Sequence, residues 1–337
     1  MKRLGGVDFD ERILSALREN KLVIFAGAGV SMGPPSNLDS FEGLVKEISN
    51  GTGLAVEKPL DRFLGTLKHK QVHVHQRAAQ RLTPLGSAPN ALHRDLLRLF
   101  GSGDRVRLVT TNFDHHFSTA YAELFGATPA VFRAPALPLG QSFSGIVHVH
   151  GDLSRPDDMV LTDADFGRGY LTEGWARRFL VDVFRHYTVL FVGYSHDDVV
   201  MNYLARALPT GTPGRFALTD VEGNWDLLGI APVLFKKGEG KDAYSELYKS
   251  IAHFSNRAVR PAIEWQQRLE EAAAAPPPVD EEVIGEIEEA LNRTSLLRLF
   301  LRTCKSPAWL RWLGSRGHLA PLFSGQSLDE RSEILAQ

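Results

Sequence analysis

The stretch that decides the fold is LVIFAGAGVS, residues 22–31. Its opening run is continuously apolar, which is typical of a β-strand that is buried on both faces. Glycines follow at once, and FEGLVKEIS at 41–49 then places its apolar residues at helical spacing. A strand, a glycine turn and a helix in this order begin a βαβ unit, so the stretch predicts a parallel sheet covered by helices.

The same alternation of short apolar runs and helical patterns continues along the chain. We therefore predict an α/β fold, a Rossmann-like and mostly parallel sheet with helices on both faces, over residues 1–262. A helix-rich polar stretch at about 50–100 is predicted as a helical insertion. The other predicted strands are 106–111, 145–151, 188–193 and 215–220, and the other predicted helices are 10–19, 91–100, 175–187 and 244–256.

The sequence pattern changes after residue 262. Residues 263–279 read as a polar helix and a linker, because three consecutive prolines, Pro276–Pro278, cannot continue a helix and stiffen the chain. Residues 280–337 are helical in period and carry apolar side chains such as Trp309 and Trp312. We interpret them as an all-α segment, the truncated start of a helical-repeat sensor region whose apolar faces need a partner.

Composition and charge indicate which binding partners and which compartment to expect. The 337 residues include 38 basic and 40 acidic ones, and this near balance gives no indication of direct nucleic-acid or membrane binding. The N-terminus lacks the apolar core of a signal peptide, and no run approaches the roughly 18 apolar residues of a membrane span. We therefore expect a cytoplasmic protein.

A metal site is not expected. The single cysteine, Cys304, cannot build a cysteine-based zinc site alone. His69 and His73 are four residues apart and could share a helix face as ligands, but no acidic third ligand lies nearby.

The first motif that suggests chemistry is GAGVS, residues 27–31, directly after the first apolar strand. Glycines there let the backbone approach a phosphate closely, and the start of the next helix favours an anion. The segment is not a full G-x-G-x-x-G fingerprint. A tight turn between strand and helix is an equally good interpretation of GAGVS alone.

The second motif is TTNFD, residues 110–114, which also follows a strand. Asn112 would face the crevice in which open α/β sheets bind ligands, and its carboxamide both donates and accepts hydrogen bonds. The alternative is an Asx turn that caps the next helix, a role that suits Asp114.

The third motif is VHVHGD, residues 147–152. Within a strand His148 and His150 would share one face, and His150, next to a glycine, is the better candidate to act as a base toward a hydroxyl. A histidine in a strand is, however, more often a core residue.

The fourth motif is FVGYSHDD, residues 191–198. It again places a glycine and a hydroxyl residue after a strand, which suits a second contact with phosphate or ribose. A capped helix start explains it equally well when it is taken alone.

Taken together and in this order, the four motifs resemble the Sir2 superfamily over about residues 10–260. GAGVS is similar to the family's GAG-x-S phosphate loop, TTNFD to its T-x-N-x-D segment, VHVHGD to its catalytic His-Gly, and GYS to its later Gly-x-Ser turn. The resemblance implies NAD as the ligand and Asn112 and His150 as the catalytic pair. The cofactor-binding residues that it implies are Gly27, Ala28, Gly29, Ser31, Thr111, Asp114, Gly193, Ser195 and Asp198.

The chain also departs from one branch of that family. Sirtuin deacylases carry a four-cysteine zinc ribbon and a GIPDFR-type loop, whereas this chain has one cysteine and MGPPSNLDSFEGL at 32–44. It is more similar to bacterial Sir2-like NADase effectors of the antiphage type, a branch with which LTDADF at 161–166 also agrees.

The resemblance to that branch implies an NAD+ glycohydrolase that cleaves NAD to nicotinamide and ADP-ribose or a cyclic derivative. It also implies a regulated effector that forms a homo-oligomer through the Sir2-like domain, the C-terminal helices or both, and that responds to a phage-derived trigger or a sensor region. Two alternatives stay open, an NAD-dependent protein deacylase and a non-catalytic module that binds NAD or ADP-ribose.

Overall fold

A computed structural model describes residues 2–194, 214–223, 225–259, 262–291 and 294–319. The chain divides into two compact units, residues 3–259 and residues 260–337. The first unit begins with a small two-stranded sheet, β1 (Lys2–Leu4) and β2 (Val7–Phe9). In the described ranges, no helix combines the length and apolar character needed to cross a membrane.

The main sheet of the first unit has seven parallel strands among the described residues, in the order β5-β6-β4-β3-β7-β8-β9. The first of these seven strands along the chain lies in the middle of the sheet, and its neighbours come from later parts of the chain, as in doubly wound α/β folds. The strands are β3 (Leu22–Ala26), β4 (Arg107–Thr110), β5 (Val131–Arg133), β6 (Gly145–His148), β7 (Thr188–Val192), β8 (Arg215–Thr219) and β9 (Ala231–Leu234).

Helices cover both faces of this sheet, which confirms the predicted α/β fold class. Successive residues of β3 alternate between the two apolar layers, with Ile24 in one and Phe25 in the other. Both side chains are fully buried, and this is why the strand reads as a continuous apolar run. The helices of the unit are α1 (Glu11–Arg18), α2 (Phe41–Ser49), α3 (Leu60–His69), α4 (Val74–Arg81), α5 (Ala91–Arg98), α6 (His116–Phe125), α7 (Asp163–Gly167), α8 (Trp175–His186) and α9 (Ser245–Val259).

The helical insertion builds a third apolar cluster at one edge of the sheet. Helices α2, α3 and α4 pack together over Phe113 and Leu161. His75 of α4 reaches the main domain, with Nε2 3.0 Å from Asp165 Oδ2 and 3.1 Å from the carbonyl oxygen of Met159. Helix α5, which falls within the predicted insertion, instead packs against α6 and α9 and belongs to the main layers.

The second unit is a group of helices with its own core. Its helices are α10 (Ala262–Ala274), α11 (Glu281–Leu291), α12 (Thr294–Thr303) and α13 (Pro307–Ser315). Trp265 and Leu269, from the stretch predicted as helix and linker, are buried in this core together with Trp309. Of the two interpretations of Trp309, a core residue of the C-terminal helices or a surface for further repeats, the burial favours the first, whereas Leu310 is 51% exposed.

Candidate active site

The described residues of the four sequence motifs come together because the strands from which they extend end in register. Ala26 pairs with Thr110 on one side and with Val192 on the other, and Thr110 pairs with His148. Residues that follow such a row leave a parallel sheet at the same, carboxyl edge. Strand order reverses direction around β3, and open α/β sheets bind ligands at this kind of switch point.

A cleft that is partly open to solvent lies at this edge. Six predicted site residues line it, namely Ala28, Ser31, Thr111, Asn112, Asp114 and His150. The rest of the lining is mostly apolar and consists of Leu38, Asp39, Phe41, Leu44, Leu82, Phe113, Val160 and Phe166.

The predicted glycines lie behind the cleft, where the GAGVS loop meets the end of β7. The N–H groups of Gly27 and Gly29 donate to the carbonyl oxygens of Val192 and Gly193, both at 2.9 Å. A Cβ on Gly29 would lie 2.9 Å from the Cα of Gly193, and one on Gly193, where φ is +77°, would lie 2.6 Å from the nitrogen of Val30. These glycines therefore permit a close approach of two backbones, and two of their N–H groups are already engaged.

Thr111 is held by the residue that follows Gly193. Its Oγ1 lies 2.7 Å from the hydroxyl of Tyr194, which also donates to the carbonyl of Ala26 at 3.1 Å. Ser195 and Asp198, the remaining predicted cofactor-binding residues, lie outside the described residues.

Asn112 is fixed at three points. Its backbone N–H donates to Thr110 Oγ1 at 3.0 Å, and its carbonyl oxygen lies 2.9 Å from Nδ1 of His148. Its side-chain Nδ2 donates to Ser31 Oγ at 3.1 Å. The two backbone bonds hold the main chain of this buried residue, and the contact of Nδ2 with Ser31 orients its carboxamide at the cleft.

Asp114 fits both interpretations of its motif, as a residue of the cleft and as the Asx turn before the next helix. Its Oδ1 accepts a hydrogen bond from the backbone N–H of His116 at 3.0 Å, which caps the start of α6. Its Oδ2 accepts from Ser31 Oγ at 2.9 Å at the cleft. The carboxylate thus joins the helix start to the GAGVS loop.

The two histidines of the third motif face different surroundings. Strand β6 ends at His148, and Gly151 donates to the His148 carbonyl oxygen at 3.2 Å, so the chain turns before His150. The prediction of a shared strand face is therefore wrong. His150 lines the cleft, and its Nε2 lies 2.9 Å from the hydroxyl of Tyr170. This contact leaves Nδ1 as the ring nitrogen that can act on a ligand.

Burial keeps the histidines of this region neutral. It lowers the pKa of His150 to about 3 and also lowers the pKa of His148. It lowers the pKa of His93, a neighbour of Ser31, to about 4, although the charge of Asp114 acts in the opposite direction. At neutral pH these rings are therefore hydrogen-bonding groups without charge.

The stability of the folded chain should fall as the pH is lowered from about 6.5 to 5. An unfolded histidine titrates near 6.5, whereas the pKa values of His93, His148 and His150 are lowered in the folded chain. The unfolded state therefore binds more protons, and each such histidine costs up to about 1.4 kcal/mol per pH unit below 6.5.

Denaturant titrations of the wild type at several pH values in this range measure the effect. His150→Gln should reduce the pH dependence, and His69→Gln, which changes an exposed histidine, should keep it. The same pH dependence in His150→Gln and the wild type would contradict the explanation.

The histidines weighed as metal ligands do not share a helix face. His69 is the last residue of α3, and His73 immediately precedes α4, so a turn separates them, and both are exposed. Among the described residues there is no group of three or more His, Cys, Asp or Glu side chains that could hold a metal ion.

Sequence reasoning missed two side chains that contact the predicted site residues. His93 Nε2 lies 3.1 Å from Ser31 Oγ, and the spacing of Asn90 and His93, an N-cap residue and the third residue of helix α5, was a signal for a capping box. Tyr170 lies in a π-helical turn, Arg168–Thr172. Such turns are common at functional sites but have no simple sequence pattern.

Comparisons with known proteins agree with this architecture. Residues 106–221 match the SIR2-like domain, from the start of β4 to beyond β8. The uncharacterized protein y4cA of Sinorhizobium fredii is 31% identical over 90% of this chain and 28% of its own length. The NAD(+) hydrolase ThsA of Cytobacillus dafuensis is 28% identical over 58% of this chain and 39% of its own length.

The chain thus spans well under half of the length of either curated relative. The match to the SIR2-like domain includes the strands and loops that carry Asn112 and His150. The GAGVS loop lies outside the matched range, and it contacts Gly193, which lies inside it. The resemblance expected from the four motifs is confirmed by this match: residues 106–221 are similar to the SIR2-like domain.

Proposed function

We propose that the first unit is an NAD+ glycohydrolase. The observation that carries the proposal is the arrangement of Asn112, held at three points, and His150, held by Tyr170, in one cleft at the carboxyl edge of the sheet. The relative named NAD(+) hydrolase supports NAD as the substrate. The mostly apolar lining of the cleft also suits the nicotinamide end of such a molecule.

The proposed reaction breaks the bond between C1 of the ribose and the nicotinamide nitrogen. The electron pair of that bond moves to the positively charged ring, which leaves as neutral nicotinamide. Water supplies the new oxygen on C1, and one proton is released, so NAD+ and water yield ADP-ribose, nicotinamide and H+. In the cyclic variant an adenine nitrogen takes the place of water.

The nicotinamide leaving group is already charged, so the site does not need to supply a strong nucleophile. It needs to orient the ribose and to stabilise the charge that develops on it. The Asn112 carboxamide donates through Nδ2 to Ser31, which leaves its oxygen to accept from a ribose hydroxyl or the attacking water. The lowered pKa of His150, about 3, makes it a neutral acceptor that polarises such a hydroxyl.

The substrate phosphates are proposed to lie over the GAGVS loop. Ala28 and Ser31 face the cleft, whereas Gly27 and Gly29 give the loop its shape. Thr111 and Asp114 complete the wall on the ribose side. Gly193, Ser195 and Asp198 remain the proposed contacts toward the adenosine half.

Release of nicotinamide from NAD, measured on the purified chain without any acyl peptide, tests the proposal. Turnover of free NAD supports the glycohydrolase. Release that requires an acylated peptide would instead indicate a deacylase, and ligand-induced stabilisation without turnover would indicate a binding module.

We further propose that the activity is regulated and serves antiphage defence, with a phage-derived trigger or a sensor region as the partner. The greater length of both relatives and the separate helical unit support a coupled arrangement. Assembly into a homo-oligomer through either unit is part of this proposal. Light scattering and NAD cleavage assays of the whole chain and of residues 1–259, which end where the second unit begins, test it. Two equally active monomers would contradict it.

A further inference from the structure

The hydroxyl of Ser31 is at the centre of a buried polar network. It donates to Asp114 Oδ2 at 2.9 Å and accepts from Asn112 Nδ2 at 3.1 Å. Nε2 of His93 lies 3.1 Å from the same oxygen. A hydroxyl has one hydrogen and two lone pairs, so these three neighbours use its full capacity. Ser31 is therefore engaged inside the protein rather than free to bind phosphate.

The direction of each hydrogen bond follows from the charge of Asp114. The Ser31 proton can go to the Asp114 carboxylate or to the His93 ring, and hydrogen bonds to a charged acceptor are roughly twice as strong as those between neutral groups. The proton therefore goes to Asp114. With the Ser31 proton on Asp114, an N–H at His93 Nε2 would give the Ser31 oxygen its second donor, at 3.1 Å.

His93 is itself held from the other side. The backbone N–H of Asn90 donates to its Nδ1 at 3.2 Å, and Asn90 Oδ1 lies 2.8 Å from the same nitrogen. The Asn90 side chain also donates to the Val30 carbonyl at 2.7 Å. The ring of Phe117 packs edge-on against the imidazole at 4.7 Å between centroids. His93 is a fully buried residue of helix α5, so the packing of that helix fixes where the ring lies. The ring in turn contacts the Ser31 hydroxyl.

We propose that His93 is a positioning residue of the cleft. Its Nε2–H holds the Ser31 hydroxyl so that Asn112 donates through Nδ2 and presents its carboxamide oxygen to the substrate. This inference rests on the proposed NAD cleavage and names a residue, distant in sequence from both catalytic candidates, that sets the orientation of one of them.

Steady-state kinetics separate this role from a merely structural one. In His93→Phe, which keeps a ring but removes the donor, we expect kcat to fall by about 10- to 100-fold while KM for NAD changes by less than about threefold. His93→Gln restores an N–H donor and should recover most of kcat. His116→Asn is the matched control, because that ring packs edge-on against His93 but lies at hydrogen-bond distance from Ser87 Oγ.

A double variant tests whether His93 acts through Ser31. If it does, His93→Phe should change kcat by less than about twofold in a Ser31→Ala background, since the contact is already lost. Losses that multiply in the double variant would overturn the proposal, as would an unchanged kcat in His93→Phe.

The protonation of His93 provides a readout that needs no turnover. Nitrogen-15 shifts of labelled histidine, assigned by difference from His93→Gln, show which ring nitrogen carries hydrogen at pH 7. A protonated Nε2 supports the proposal, and an unprotonated Nε2 overturns it. If the wild type does not cleave NAD, the proposed function fails while this measurement still decides the role of His93.

Discussion

Replacing His150 with alanine is expected to slow nicotinamide release from NAD by about 10²–10³-fold, because it removes an oriented hydrogen-bond acceptor from the cleft. Asn112→Ala is expected to lose about 10²–10³-fold, as other oriented hydrogen-bonding groups do. Both side chains line the cleft, but most of its wall comes from other residues, so ADP-ribose should still raise the melting temperature of each variant.

Two controls make the comparison specific. His186→Ala removes an exposed imidazole at the end of α8, and Asn50→Ala removes an exposed carboxamide at the end of α2. Both should cleave NAD at the wild-type rate. Near-wild-type turnover in His150→Ala or Asn112→Ala would remove that residue from the mechanism, whereas loss of both turnover and ADP-ribose binding would indicate a damaged cleft.

Gly29→Val is expected to lose both stability and nucleotide binding. Its Cβ would lie 2.9 Å from the Cα and from the carbonyl oxygen of Gly193, and these backbone atoms cannot move aside as a flexible side chain can. Overpacking of this kind costs about 1–3 kcal/mol. The loop would also move away from β7, so the stabilisation by NAD at 100 times its Kd, about 2.7 kcal/mol in the wild type, should disappear.

Gly167→Val is the matched control, because a Cβ at Gly167 has no heavy atom within 4 Å among the described residues. Thermal unfolding with and without NAD distinguishes two explanations of the Gly29→Val result. If both stability and binding fall, loop packing is the cause. If binding alone is lost, the valine side chain intrudes on the phosphate space, and if neither changes, the close approach to Gly193 is unimportant.

The central part of the sheet was predictable because its strands are buried on both faces. Such strands have continuous apolar runs, and β3, β4, β6, β7 and β8 were all expected from them. The two strands of this sheet that were missed, β5 and β9, lie at its edges, and the two short strands of the separate small sheet, β1 and β2, were not predicted either. Edge strands are less buried, and β9 even contains Pro232, a residue that a sheet tolerates only where no further strand must be paired.

The candidate site was predictable only in part, for a different reason. Asn112 and His150 follow strands directly, so local sequence was sufficient to nominate them. His93 reaches Ser31 across 62 residues, and a contact of this kind depends on how helix α5 packs. The turn after His148 likewise depends on where β6 stops pairing, which period-two alternation within VHVHGD does not indicate.

The paired row formed by Ala26, Thr110, His148 and Val192 also determines how accurately the cleft is built. Moving one strand by a single residue would displace its motif by about 3.3 Å, which exceeds the length of any hydrogen bond in the Ser31 network. Small errors in this row therefore cannot be absorbed by adjusting side chains. The hydrogen-bonded register of the sheet therefore sets how precisely the residues of the cleft loops are positioned.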